Sequence, residues 1–567
     1  MKKPAFRKKS APEAVEAEYA AAEPAEAAAP VAGPAGRSGG SRTTQSLLAA
    51  AAVLAVVFGI AEARPPAAPA TGDQGAAATT AQVERTAAVC PQPLQGLTGS
   101  TSLTAYTPPG TGGATGGAGW LSDAVAPATP PTAAPSASAT PTPTAPATPA
   151  PTGSAAPAAP DKGGAPADAR LTLTKPGTPA TAPAANGDTA PGAGATATGA
   201  LAPGFTVTQT TVVTEQRGLG LSGLTCTPAG TSFWFAGAST AGDRVDYLSL
   251  VNTESSAAVV DIKLYGDKGL IDNDAANGIT VAPGSSQSVL LSTLTKGAVT
   301  DLAVHVVARS GRVGAALHAA DGNKGADWVP ASIEPAPTQV LPGLPADTSS
   351  ARLVVWAPPE DDADLKIQLS GKNGWFTPAG NESIHVKAGM VAAVDLGKVT
   401  RDEVAGLRLS PSDDKHATAI VAGLRVDRAG PNGKTDAAWL TGSAPVGARA
   451  TVADNRAGAS TLFLTSTGDA ASVRVTASAG AGGGTPVSKD VQVPAGGTVS
   501  LPAPEPGGLN GSFALTVETV SGGPVVAARM LAIPTKDVPM FTVQALRDDH
   551  SSVKVPQAAQ DPGVVQR

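Results

Sequence analysis

The sequence predicts an all-β protein: tandem immunoglobulin-like β-sandwich repeats behind a disordered tail, one transmembrane helix and a Pro/Ala/Thr-rich stalk. The first observation is a recurring signature. Ile279-Thr280-Val281-Ala282-Pro283-Gly284 returns as Ile384-His385-Val386-Lys387-Ala388-Gly389 and again as Val491-Gln492-Val493-Pro494-Ala495-Gly496. Each copy alternates apolar and variable residues, turns at Gly, and resumes alternation at Val289 and Leu291, Val394 and Leu396, or Val499 and Leu501. That pattern is two short strands joined by a turn, and its recurrence after roughly a hundred residues makes one β-domain per copy. The second observation is the strand pattern around each signature. The third is composition: Gly (65) and Pro (52) are abundant, aromatics are 3% and charged residues 15%. Cores of this material must rely on Val, Leu, Ile and Ala, which suits several thin sandwiches better than one large core.

From the amino end, residues 1–42 carry Lys2, Lys3, Arg7, Lys8 and Lys9, then Glu residues among Ala and Pro, and read as a disordered cytoplasmic tail. Ser46 to Ala61 has no charge and contains Leu47, Leu48, Val53, Leu54, Val56, Val57, Phe58 and Ile60. Flanking residues extend it to a transmembrane anchor over 43–63, with Arg37 and Arg42 holding the amino side in the cytoplasm. A cleaved signal peptide ending at Ala61-Glu62-Ala63 is the competing reading, and the long preceding tail speaks against it. Residues 64–87 read as a stalk.

A degenerate first β-domain is expected over 88–232. Its low-complexity insertions lie at about 124–167 and 176–203. Ala124 to Pro160 lacks any charge or aromatic, so it cannot bury enough apolar area to fold; its Thr and Ser make it either a mucin-like segment or a plain spacer. Three clear repeats follow at 233–338, 339–445 and 446–550, then a disordered tail at 551–567. Leu248-Ser249-Leu250 matches Leu353-Val354-Val355 and Leu462-Phe463-Leu464; Val260, Ile262 and Leu264 match Leu365, Ile367 and Leu369, then Val473, Val475 and Ala477. Small residues in Val313 to Leu317, Ile420 to Leu424 and Val525 to Met530 predict close approach of a neighbouring sheet. Each repeat closes with an aromatic: Trp328, Trp439 and Phe541.

Several segments resemble the domain of unknown function 5719 family, a group of anchored, extracytoplasmic actinobacterial proteins. They are Cys226-Thr227-Pro228-Ala229-Gly230-Thr231-Ser232-Phe233-Trp234-Phe235-Ala236-Gly237, the turn Ser310-Gly311-Arg312-Val313-Gly314, and Val538-Pro539-Met540-Phe541-Thr542-Val543. The resemblance spans roughly 88–550. It implies location and architecture and no activity.

No arrangement of residues points to catalysis, and the expectation is a non-enzyme without cofactor or metal. The five His (His305, His318, His385, His416, His550) stand in no metal-ligand spacing with a carboxylate or thiolate. Asp272-Asn273-Asp274 before Asn277-Gly278 superficially matches a calcium loop, but Pro283 occupies the place of its twelfth-position Glu. Glu360-Asp361-Asp362 with Asp364 reads as solvated turn charge. Trp328 and Trp439 recur at one repeat position and are expected in the core. Trp120 and the Trp375-Phe376 pair do not recur, and are the aromatics expected to offer an exposed platform for glycan. The net charge of −6 argues against nucleic acid. The only two cysteines, Cys90 and Cys226, lie outside the membrane in this topology and flank the first repeat; an intrachain disulfide is expected, with free thiols or an interchain bridge as alternatives. The functional expectation is a membrane-anchored structural or interaction scaffold of the cell envelope, with envelope proteins or polysaccharide as partners. The alternative is a glycan-binding module for cell-wall or capsular polysaccharide.

Overall fold

The computed structural model describes residues 79–93, 99–110, 116–125, 164–184, 187, 190–214, 218–322, 324–535 and 537–555. The tail expected at 1–42 and the anchor expected at 43–63 lie outside them. Among the described residues no helix is long and apolar enough to cross a membrane. These residues are all-β, with short 3₁₀ turns as the helical elements and every strand pair antiparallel.

Four sandwiches follow one another, each made of two sheets facing across an apolar core. In the second, one sheet runs Ser232–Ala238, Leu302–Ser310, Ala258–Gly266, Gly269–Ile271, and the other Ser285–Leu290, Arg244–Asn252, Gly314–Asp321, Ala326–Val329. Alternation does the sorting: Leu248 and Leu250 face Val260, Ile262, Val304 and Val306 across the interior. Each such side chain contributes roughly 1.5–3 kcal/mol by leaving water. The third and fourth sandwiches repeat the order, with cores around Leu353, Ile367 and Leu407, and around Leu462, Val473 and Leu515.

The signature is where the chain changes sheets. Ile279–Val281 pairs with Ala258–Gly266, whereas Ser285–Leu290, just past the turn, pairs with Arg244–Asn252 of the opposite sheet. Gly284, Gly389 and Gly496 sit at φ +55°, +72° and +59°, a region that a side chain disfavours, so the turn needs Gly in every copy.

The first sandwich departs from the sequence expectation at three places. Residues 176–203 are not a low-complexity insertion: Ala180–Pro183 and Ala193–Thr198 are strands, the latter lying between Arg85–Cys90 and Gly119–Asp123. Ala193, Ala195 and Ala197 face the core and are buried, so a strand of small residues fills a narrow interior while resembling linker by composition. The expected stalk ends earlier than residue 87, because Thr79–Gln82 and Arg85–Cys90 are strands. The carboxyl-terminal tail likewise starts later than 551. Ser552–Val555 pairs with Thr79–Gln82, joining the two ends of the described chain through backbone hydrogen bonds that local sequence does not encode.

Cys90 and Cys226 are bonded, with Cα atoms 4.7 Å apart. Cys90 ends a strand of one sheet, and Cys226 follows Gly220–Thr225 of the other, so the bridge staples the two layers. Closing so long a loop restricts the unfolded chain by about 5 kcal/mol in the entropy model.

Gly119–Asp123 and Leu171–Leu173 pair as neighbours, and the bidentate Arg170–Asp123 ion pair closes the neck of the long connection between them. Replacing residues 126–163 with a short Gly/Ser linker should therefore leave cooperative thermal unfolding intact, raising stability by at most about 2 kcal/mol through a shorter closure loop. A deletion variant that unfolds without cooperativity would show that the segment holds the sandwich together.

The four sandwiches close on one another. The closing strands Gly220–Thr225, Ala326–Val329, Thr435–Thr441 and Phe541–Leu546 pack in turn, and the fourth returns against the first. The closing aromatics are buried, but in their predecessors. Trp439 of the third sandwich lies in the core of the second and donates from Nε1 to the Gly237 carbonyl at 3.3 Å. Phe541 of the fourth lies in the core of the third, and Trp328 of the second packs on Val213 of the first. The circuit is completed by Leu221 of the first sandwich against Leu531, Val538 and Met540 of the fourth. Small residues permit these approaches: a Cβ at Gly423 would stand 2.1 Å from the Ala236 carbonyl oxygen of the second sandwich.

Candidate functional site

Where the closing strands meet, two carboxylates are buried. Asp327 Oδ1 accepts from the backbone N–H of Gly223 (2.9 Å) and Trp328 (2.8 Å). Asp436 accepts from Phe541 N–H (2.8 Å) and Leu221 N–H (3.4 Å) through Oδ2, and from Ala437 N–H (2.9 Å) through Oδ1. Asp436 thus ties the third sandwich to the fourth and the first, and Asp327 ties the second to the first. Loss of water pushes Asp327 well above the ordinary carboxylate range and Asp436 up to about 7, against the pull of these backbone donors. His318, from the second sandwich, places Nε2 3.3 Å from Ser222 Oγ of the first, with Trp328 edge-on at 5.1 Å. Burial brings its pKa down to about 3. It sits within the strand Gly314–Asp321.

A second aromatic-rich seam joins the second and third sandwiches. Trp234 stacks on His305 at 3.7 Å and meets Trp356 at 4.3 Å, with Tyr265 beside them. Burial lowers His305 to about 4, and Lys263 adds to that.

A cleft of about 1310 Å³ opens where the first, second and fourth sandwiches come together. Its lining includes Arg85, Ser122, Trp328, Thr451, Gln544 and Arg547. Among the described residues Ser122 Oγ, Trp328 Nε1, Thr451 Oγ1 and both ends of the Gln544 amide have no hydrogen-bond partner. Trp328, Thr451 and Gln544 are themselves buried. Buried polar atoms left without such partners are the kind that a bound polar group or an ordered water satisfies.

The residues singled out in the sequence are dispersed. Trp375 and Phe376 do not form an open platform. Arg408 covers the Trp375 ring at 4.2 Å, and its Cδ1–Nε1 edge lies against Gly496, where a Cβ would stand 2.6 Å from Cδ1. Phe376 packs on the core of the third sandwich. Trp375 is thus spent on the seam between third and fourth sandwiches. Trp120 is half-buried on the outer face of its sheet, between Thr172 and Thr196. Asn273 caps the 3₁₀ turn Asp274–Ala276 by accepting from Ala275 N–H, and Asp362 accepts from Ala388 N–H. His385 bonds Asp364 at 2.8 Å, and His416 bonds Asp413 at 2.9 Å, both at the surface. Among the described residues no group of three or more His, Cys, Asp or Glu is placed to hold a metal ion. Sequence reasoning missed Asp327 and Asp436; the available signal was a charged residue inside an otherwise apolar closing strand.

The model of a family of unknown function, DUF5719, matches residues 180–504, more than half of the chain. The chain belongs to the DUF5719 family. No curated protein and no solved structure matches it. The matched span opens at the strand Ala180–Pro183 and takes in the whole second and third sandwiches. The DUF5719 match ends before the closing strand Phe541–Leu546 and so leaves out part of the junction described above.

Proposed function

We propose that this DUF5719 protein is a membrane-anchored extracytoplasmic scaffold of the cell envelope, structural or interactive, held by its N-terminal apolar run. The observation that carries the reading is the buried Cys90–Cys226 bridge, which suits an oxidising compartment, on the far side of an apolar run preceded by Arg37 and Arg42. The paired strands Thr79–Gln82 and Ser552–Val555 support a single point of attachment. We read the sandwiches as immunoglobulin-like in their central pairs, Arg244–Asn252 with Ser285–Leu290 as B with E and Ala258–Gly266 with Leu302–Ser310 as C with F, with the edges exchanged: Gly314–Asp321 lies beside the B strand and Ser232–Ala238 beside the F strand. A reporter active only in the cytoplasm, fused after Arg567, is expected to be silent in intact cells; an active fusion ends the topology.

Trp120 favours a second reading, a module for cell-wall or capsular polysaccharide, since it presents an indole between two Thr residues on an outer sheet face. On beads carrying purified envelope polysaccharide, Trp120→Ala should lose most of the retention, and Trp375→Ala, whose ring is already covered, should keep it. Failure of the wild-type chain to be retained sinks this reading.

A further inference from the structure

The cleft between the first, second and fourth sandwiches contains cations that no carboxylate neutralises. Arg547 follows the closing strand Phe541–Leu546, and Arg85 opens the strand Arg85–Cys90; both line the cleft. Among the described residues neither stands within ion-pair distance of an acid, and the one bond of Arg547 goes to the Ala331 carbonyl. Four of the five acids that line the cleft are engaged elsewhere. Asp548 accepts from the backbone N–H of Ala448 (3.2 Å) and His550 (2.7 Å), Asp549 pairs with Arg449, Asp123 with Arg170, and Glu254 with Arg312. Glu334 also lines the cleft, is exposed, and forms no ion pair among the described residues.

Arg547 is a side chain that reaches solvent and is walled by protein at the same time. The walls remove enough water to pull its pKa below the ordinary arginine value, and no anion offsets the loss. A guanidinium kept in that condition presents a planar fork of donors suited to carboxylate or phosphate. Beside it stand neutral groups that lack partners among the described residues: the Gln544 amide, the Thr451 hydroxyl, the Ser122 hydroxyl and the Trp328 indole N–H. That combination, charge at one side and unspent neutral donors and acceptors along the floor, fits a polyhydroxylated molecule bearing an acidic group.

We propose that the cleft is a binding site for an anionic saccharide, a uronate or a sugar phosphate, with Arg547 and Arg85 taking the charged group and Gln544 and Thr451 taking ring hydroxyls. The site is separate from Trp120 and requires neither the anchor nor the scaffold reading.

The full chain, purified in detergent micelles, is titrated in a calorimeter with tetragalacturonate and, separately, with glucose 1-phosphate. Saturable binding is expected in at least one arm, and the arm that saturates identifies the acidic group as carboxylate or phosphate. Arg547→Gln should weaken it by about tenfold or more, the loss of a charge-assisted fork. Arg474→Gln should leave it unchanged, because that guanidinium is paired with Asp490 on an exposed face. Arg85→Gln, at the exposed start of a strand, reads the same site should Arg547→Gln fail to fold. The proposal is overturned if neither probe saturates below about 1 mM, the weak end of specific affinity, or if both arginine variants bind like the wild type.

Discussion

Asp436→Ala is expected to lower the stability of the whole assembly by about 3–5 kcal/mol, because it strands several buried backbone donors at once. The carboxylate accepts from Phe541 N–H of the fourth sandwich, Leu221 N–H of the first and Ala437 N–H of its own strand. Alanine removes every acceptor and leaves those N–H groups in an interior where Asp436 itself is fully buried. Each unsatisfied donor costs roughly 1–3 kcal/mol. Asp436→Asn keeps one oxygen but turns an NH₂ towards backbone N–H groups, so it should fall between wild type and alanine. The measurement is the urea midpoint of the full chain, with Asp490→Ala as the comparison. Asp490 belongs to a surface ion pair with Arg474, and its loss should leave the midpoint nearly unchanged. An Asp436→Ala midpoint no lower than that of Asp490→Ala would remove Asp436 from the account of how the sandwiches hold together. A further consequence is specific to a junction: the alanine variant should unfold over a broader transition than wild type, since the sandwiches lose a shared tie while keeping their own cores.

What could be read from the sequence follows from how locally each feature is encoded. Alternation and turn chemistry are local, so the signature turns were legible, and Gly284, Gly389 and Gly496 all take the left-handed conformation that such a turn needs. The small-residue strand around Gly423 also announced a close approach, and the Ala236 backbone meets it. Composition misled where small side chains are the core: Ala193, Ala195 and Ala197 look like linker until the narrow gap they fill is known. Trp439 was rightly seen as a packing residue, but its partner core belongs to another repeat, and periodicity carries no information about which neighbour it enters. The same limit hid the Thr79–Gln82 to Ser552–Val555 pairing. Trp375 was read as free because it does not recur, although non-recurrence says only that it does not serve a repeat core; it serves the seam with Arg408 and Gly496. The cleft arginines left no mark at all, since an unpaired cation is recognised by what fails to surround it in space.

His318→Gln is expected to remove several kcal/mol of acid sensitivity that the wild-type chain carries. In the fold His318 is buried against Ser222 and Trp328, and its pKa falls from 6.5 to about 3. Between those values the unfolded chain binds a proton at this residue and the native chain does not. Stability from this group is therefore complete above pH 6.5 and is lost as the pH falls towards 3. At about 1.4 kcal/mol per pKa unit the full span is on the order of 5 kcal/mol. Asp436 acts in the opposite sense. Its native pKa of about 7 lies above the ordinary 3.8, so the native state holds the extra proton and stability falls as the pH rises from 3.8 to 7. Asp327, also raised, adds to that slope. The wild-type profile is accordingly a difference of opposing terms and is flatter than either. Subtracting one chain from the other isolates the histidine, because the aspartates contribute equally to both. Urea midpoints at pH 4, 5, 6 and 7 should show the wild-type advantage over His318→Gln shrinking steadily towards pH 4, by a few kcal/mol over the range. An advantage of wild type over His318→Gln that stays constant from pH 7 to pH 4 would mean that this imidazole does not resist protonation in the fold, and the pH behaviour of the junction would then rest on its aspartates alone.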